Sequence, residues 1–152
     1  MDLSYILNFE KNFSEKKVVF DGESQRNVFV DKVKITYVAY PFKVEDVFVW
    51  EYFSIPSLFS LAAMKAYAIW RRAKWKDYVD LYFLIKKFWV SEIIIKAKSI
   101  FWWDFSEKMF IRQLGYFDDI DYSEEVEFMK WFEKTENEIK EFLFSLSKKY
   151  IL

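Results

Sequence analysis

Residues 57–84, SLFSLAAMKAYAIWRRAKWKDYVDLYFL, place five cations ahead of an acidic pair at helical spacing. Lys65, Arg71, Arg72, Lys74 and Lys76 occur with no Asp or Glu among them, and Asp77 and Asp80 follow at once. Ser57 suits a helix N-cap, because its hydroxyl can accept from a free amide of the first turn. Ala62, Ala63, Ala66 and Ala68 give the next residues high helix propensity and a surface that a neighbour can approach closely. The spacing predicts one helix to about Arg72 and a second from Lys74 or Lys76 to Phe88. Lys65 and Arg72, seven residues apart, then lie within about 20° of one direction on the first helix. Asp77 and Asp80 share a face of the second through their i, i+3 relation. Two readings follow. Fixed cations beside carboxylates are what an aqueous pocket needs to handle a polyphosphate, with or without Mg²⁺. The same Lys65, Arg72, Asp77 and Asp80 also make an ordinary salt-bridged hairpin, with Lys76 and Asp80 as a weak i, i+4 surface pair.

Upstream, residues 17–20 and 28–40 are rich in Val, Ile, Phe and Tyr. Val33, Ile35, Tyr37 and Ala39 alternate with Lys34, Thr36 and Val38, which predicts two strands joined by the polar residues 21–27. Pro41 ends the second, since proline cannot donate to a sheet ladder. Downstream, helices are predicted over 91–101 and from Ser106 to a stop at Gly115. A last helix, from Ser123 or Glu124 to Lys149, would align Phe128, Trp131, Phe132, Thr135, Ile139, Phe142, Leu143 and Leu146 on one stripe. The expected fold class is α+β: a short antiparallel sheet of two or more strands within residues 17–40, followed by a bundle of about five helices. With no repeat or low-complexity linker, residues 1–152 read as a single domain, its sheet part over 1–53 and its helical part over 54–152. So small a sheet has open edges, which invite pairing with another chain. A second copy, meeting at the 28–40 strand or at nearby aromatic residues, is one expected partner.

Composition narrows the chemistry. The chain has no cysteine and no histidine, which excludes disulfide frameworks, thiolate zinc sites, Ser-His and Cys-His hydrolases and histidine-based metalloproteases. Aromatic residues make up 23% of it, more than a small core must hide, so some rings are expected at a surface that meets another chain. The net charge of −1 conceals a basic stretch at 62–76 and an acidic one at 118–141, which disfavours a uniformly basic nucleic-acid binder. In the acidic stretch, Asp118, Asp119, Asp121, Glu124 and Glu125 lack the spacing of a calcium loop and suit a solvated turn. Trp70, Trp75, Trp102 and Trp103 could stack on bases or fill a core or interface. No uncharged run is long enough for a membrane span and the N-terminus lacks the plan of a secretory signal, so a cytoplasmic protein is expected.

The positions of Lys65, Arg72, Lys76, Asp77, Asp80 and Leu81 resemble, in register, a motif of the AbiEii/AbiGii toxin family of nucleotidyltransferases: a helical Lys, an Arg seven residues on, then [KR]-D-x-x-D-L. VFVDKVKITYVAYPF (residues 28–42) is similar to the family's strand with a Tyr-Pro-aromatic turn. GYFDDIDYSEEVEFMKWFEKTENEIKEFL (residues 115–143) is similar to its Tyr-Phe-Asp-Asp segment and last helix. The resemblance implies a partial nucleotidyltransferase fold, with Mg²⁺ and a nucleoside triphosphate as cofactor and substrate. Lys65, Arg72 and Lys76 would contact phosphate, and Asp77 and Asp80 would be the catalytic carboxylates, orienting a cation or deprotonating an acceptor. One departure matters. The family's Gly-rich element and D-x-D strand have no counterpart ahead of these motifs; Gly22 and Gly115 are the only glycines, and the one D-x-D string is Asp119-Ile120-Asp121. A phosphate-cradling turn relies on glycine for close backbone approach.

Three functions therefore stand side by side. The chain could be a nucleotidyltransferase-like protein that is inactive alone and works with a separately encoded half supplying the D-x-D metal site. It could be a non-catalytic module that binds an antitoxin or a paralogue. It could instead be an RNA-binding module using the 65–76 groove, with tRNA as a partner.

Overall fold

The structure, a computed structural model, describes residues 8–45, 47–49 and 54–151. Two compact units divide the chain, Met1–Lys43 and Val44–Leu152. The first carries three antiparallel strands in the order β1-β2-β3: β1 Lys16–Asp21, β2 Gln25–Val30 and β3 Val33–Val38. The strand expected over 28–40 is thus a hairpin. Its two-residue turn is Asp31-Lys32, at φ 46° and 71°, the left-handed pair that the right-handed twist of a hairpin requires. Neither residue is a glycine, so the turn left no punctuation in the sequence.

Alternation along β2 explains what the sheet buries. Arg26, Val28 and Val30 are buried on one face, while every residue of β1 is exposed. Arg26 is held on that face by Glu10, through Nε to Oε1 at 3.0 Å and Nη2 to Oε2 at 3.1 Å. Lys16 also reaches Glu10, at 3.2 Å, and Arg26 pairs with Asp21. The Arg26 hydrogen bonds hold the Glu10 carboxyl below its ordinary range against the opposing effect of burial, with Lys16 adding to them. A break in register between Val18 and Phe20 marks a bulge in β1.

The second unit opens with a short antiparallel ribbon, β4 Val47–Val49 and β5 Ser54–Pro56. Five helices follow: α1 Leu58–Arg72, α2 Trp75–Lys87, α3 Val90–Phe101, α4 Glu107–Leu114 and α5 Glu136–Ile151. Caps start α1 and α4 where the sequence placed them. Ser57 Oγ accepts from the Ser60 amide at 3.1 Å and Ser106 Oγ from the Met109 amide at 3.3 Å. Helix α1 is central, touching α2, α3 and α4, because Ala62, Ala63 and Ala66 are fully buried and let neighbours close in. Tyr78, Leu81, Ile93, Phe101, Phe110 and Leu114 complete this core, with Ile139 and Leu143 from α5. Burying each large apolar side chain contributes about 1.5–3 kcal/mol. The whole is α+β, a three-stranded and a two-stranded sheet followed by helices. Among the described residues, no helix is long and apolar enough to cross a membrane.

The last helix begins later than expected. It starts at Glu136 rather than at Ser123 or Glu124, behind a reciprocal cap in which Thr135 Oγ1 accepts from the Glu138 amide at 3.2 Å and Glu138 Oε2 accepts from the Thr135 amide at 2.9 Å. Thr-x-x-Glu is a capping-box pattern, and its priority over the apolar period was the signal missed. Phe128, Trp131 and Phe132 therefore leave the predicted stripe, and Trp131 and Phe132 are exposed. Ile139 and Leu143 keep their place on it.

Candidate active site at the corner of α1 and α2

Only Ala73 and Lys74 separate α1 from α2, and Ala73 takes the left-handed conformation at φ 39° that turns the chain sharply. This corner brings Asp77, in the first turn of α2, against the α1 face carrying Lys65 and Arg72. Lys65 Nζ donates to Asp77 Oδ1 at 2.8 Å. Arg72 donates from Nε to Oδ2 at 2.8 Å and from Nη2 to Oδ1 at 3.0 Å. Asp77 has no exposed surface. Its carboxylate does not cap its own helix, whose N-cap has no side-chain partner; it binds two cations from the neighbouring one.

Around this buried group the exposure is uneven. Asp80 pairs with Lys65 at 2.5 Å and is 47% exposed, as is the Arg72 side chain, whereas Lys65 is 17% exposed. Burial works against the charge on Lys65, but its bonds to Asp77 and Asp80 outweigh that and raise its pKa. Arg72 turns its Nε–Nη2 edge to Asp77, and Nη1 has no protein partner among the described residues. Lys65, Arg72, Asp77 and Asp80 thus meet at one place.

Lys76 does not. It pairs with Glu124 instead of forming the expected surface pair with Asp80, and Lys74 pairs with the other oxygen of the same carboxylate. Residues 116–124 run across the corner to put Glu124 there. Asp121 exchanges main-chain bonds of 3.0 Å with Ala73 and Trp75, a parallel bridge opposite Lys74. The buried Tyr78 hydroxyl donates to the Tyr116 carbonyl at 3.0 Å and accepts from Gln113 at 2.8 Å, and burial pushes its pKa up to about 12. Lys74, then Lys76, hold the Glu124 carboxyl down at about 2. Arg71 pairs with Asp104 at 2.8 Å and lies over the Tyr67 ring at 4.1 Å. All five cations of the basic run therefore meet a carboxylate. Glu124 and Asp104 were not foreseen as partners; opposite charge in the 62–76 and 118–141 stretches was a visible signal for Glu124, and nothing local pointed to Asp104.

The described residues do not suit Mg²⁺. Both Asp77 oxygens accept from cations, and no cluster of three or more metal-ligating side chains is present among the described residues. The acids of 118–125 are already engaged within the chain, Asp119 by Gln113, Asp121 by the Ser123 amide and, at 4.0 Å, by Lys74, and Glu124 by Lys74 and Lys76. Among the tryptophans, Trp75 is core, while Trp102 and Trp103 are 66% and 88% exposed. No family model matches the chain, and neither the curated proteins nor the solved structures contain a match to it.

Proposed function

We propose that this corner is the phosphate-facing wall of a nucleotidyltransferase-like protein of the AbiEii/AbiGii kind, whose metal-binding carboxylates come from outside the residues of this sequence. The observation that supports it is Arg72, gripped along one edge by a buried carboxylate while its side chain stays 47% exposed. An arginine positioned in this way loses little freedom when it meets an oxyanion. Asp77 is then a positioning residue, since both its oxygens are taken. Asp80, half exposed, is the carboxylate able to accept a proton from an acceptor hydroxyl. In the transfer, that hydroxyl oxygen bonds to the α-phosphorus, the bond to the bridging oxygen breaks, and pyrophosphate leaves with the electron pair. Arg72 and Lys65 stabilise charge on the phosphate oxygens.

A second reading has its own support. The five cations already have internal partners, and Val18, Val19 and Phe20 of the outer strand β1 are exposed, which suits a non-catalytic module that binds an antitoxin, a paralogue or a second copy through its sheet. Incorporation of labelled nucleotide into tRNA and total protein separates the two. The chain alone should transfer nothing; mixed with a nucleotidyltransferase half that carries the glycine turn and D-x-D, it should transfer nucleotide in an Arg72-dependent way. Robust incorporation by the isolated chain, abolished by Asp77→Ala, would contradict the missing-carboxylate account. No incorporation with any such half would favour the binding module.

A further inference from the structure

Glu124 spans two ammonium groups, Oε1 on Lys74 and Oε2 on Lys76. A phosphate group presents a pair of anionic oxygens at nearly the same separation as a carboxylate, so the position that Glu124 fills is one that a phosphate can fill. The side chain is 39% exposed and lies beyond Asp121, the residue bridged to the corner through its main chain. It can therefore swing away without breaking that bridge. Lys74 and Lys76 are themselves 25% and 37% exposed, open enough to receive a ligand from solvent. The pair stands at the start of α2, next to the corner where Arg72 is held.

We infer that Lys74 and Lys76 form a site for one phosphate group of a di- or triphosphate, and that Glu124 masks this site in cis. The inference rests on reading the corner as a phosphate-facing wall, and it adds the wall's regulation: a polyphosphate long enough to engage Arg72 and this lysine pair together displaces Glu124, whereas a lone phosphate must compete with it. An intramolecular carboxylate is present at high effective concentration, which sets a threshold that single anions do not pass.

The test is binding of inorganic tripolyphosphate, without divalent cations and at low ionic strength, to the full chain and its variants. Glu124→Gln should bind about fivefold more tightly, the scale expected when a partly exposed ion pair is removed from competition. Glu124→Ala repeats the test without a competing amide. Glu125→Gln removes the same formal charge from an exposed neighbour that has no side-chain partner among the described residues, and should change nothing. Adding Lys74→Ala and Lys76→Ala to Glu124→Gln should erase the gain. Equal gains from Glu124→Gln and Glu125→Gln, or no gain from either, overturn the mask, as does a gain seen with tRNA and not with tripolyphosphate. Arg72→Ala in the wild-type background tests the wall separately. If it leaves binding untouched while Glu124→Gln still gains, the wall reading fails and the mask stands; if it abolishes binding while Glu124 is silent, the reverse holds.

Discussion

Among the described residues, each unit of the chain buries one carboxylate between two cations, and the two clusters differ in how far their arginines face solvent. In the sheet unit, Glu10 is closed in by Arg26, whose side chain is only 6% exposed, and by Lys16. In the helical unit, Asp77 is equally buried, but its arginine, Arg72, is 47% exposed. The first cluster satisfies itself. The second fixes the geometry of a cation that still faces water, which is the arrangement a binding site needs. A carboxylate hidden beneath a half-exposed arginine costs desolvation, and under the proposed function recognition of an anion would give that cost a purpose.

The largest effect expected from breaking this contrast is on the closed side. Glu10→Gln leaves a buried guanidinium with Asp21 as its one remaining carboxylate and should cost about 3 kcal/mol in urea unfolding. Asp77→Asn should cost less, about 2 kcal/mol, because Arg72 can turn to solvent. Equal losses at the two sites would mean that the exposure of the arginine does not matter.

Acid unfolding sharpens the same contrast. The folded pKa of Glu10 lies below its ordinary value of 4.5, so its contribution is complete above about pH 4.5 and fades as pH falls through the lowered value. Glu124 behaves likewise between 4.5 and about 2, with a smaller amplitude because its side chain is 39% exposed. Wild type should therefore lose stability on acidification below pH 4.5, and Glu10→Gln should lose distinctly less over that range. Parallel pH profiles would remove Glu10 from the account.

Less again is expected of Arg72→Ala for stability, about 1 kcal/mol, because the buried Asp77 keeps Lys65 as a partner and water can reach the space the arginine leaves. A melt that shifts as far as that of Glu10→Gln would show Arg72 to be structural. Arg72→Lys keeps the charge but not the two-pronged grip, and should lose anion binding while leaving the melt almost unchanged.

The sequence told these regions apart unevenly, for physical reasons. Helix α1 was legible because alanine propensity, the Ser57 cap and the positions of Lys65 and Arg72 agree with one another. Helical spacing put Lys65 with Arg72, and Asp77 with Asp80, on one face each; that the two pairs meet follows from the sharp turn at Ala73, which spacing does not encode. The hairpin within 28–40 was hidden by a turn that Asp31 and Lys32 make without glycine. The start of α5 was misplaced because Phe128, Trp131 and Phe132 continue the apolar period through residues that stay outside the helix, while the Thr135 and Glu138 cap decides the boundary. The partners of Lys74 and Lys76 depend on where residues 116–124 cross the corner, a long-range placement that no local spacing encodes.

In the proposed wall Asp77 positions Arg72, and binding of tripolyphosphate to Asp77→Asn probes that role. That substitution makes the corner one unit more positive. Simple attraction then predicts tighter binding, whereas positioning predicts weaker binding because Arg72 loses its charged grip. With circular dichroism confirming a folded chain, we expect Asp77→Asn to bind several-fold more weakly than wild type; binding equal to or tighter than wild type would contradict the account.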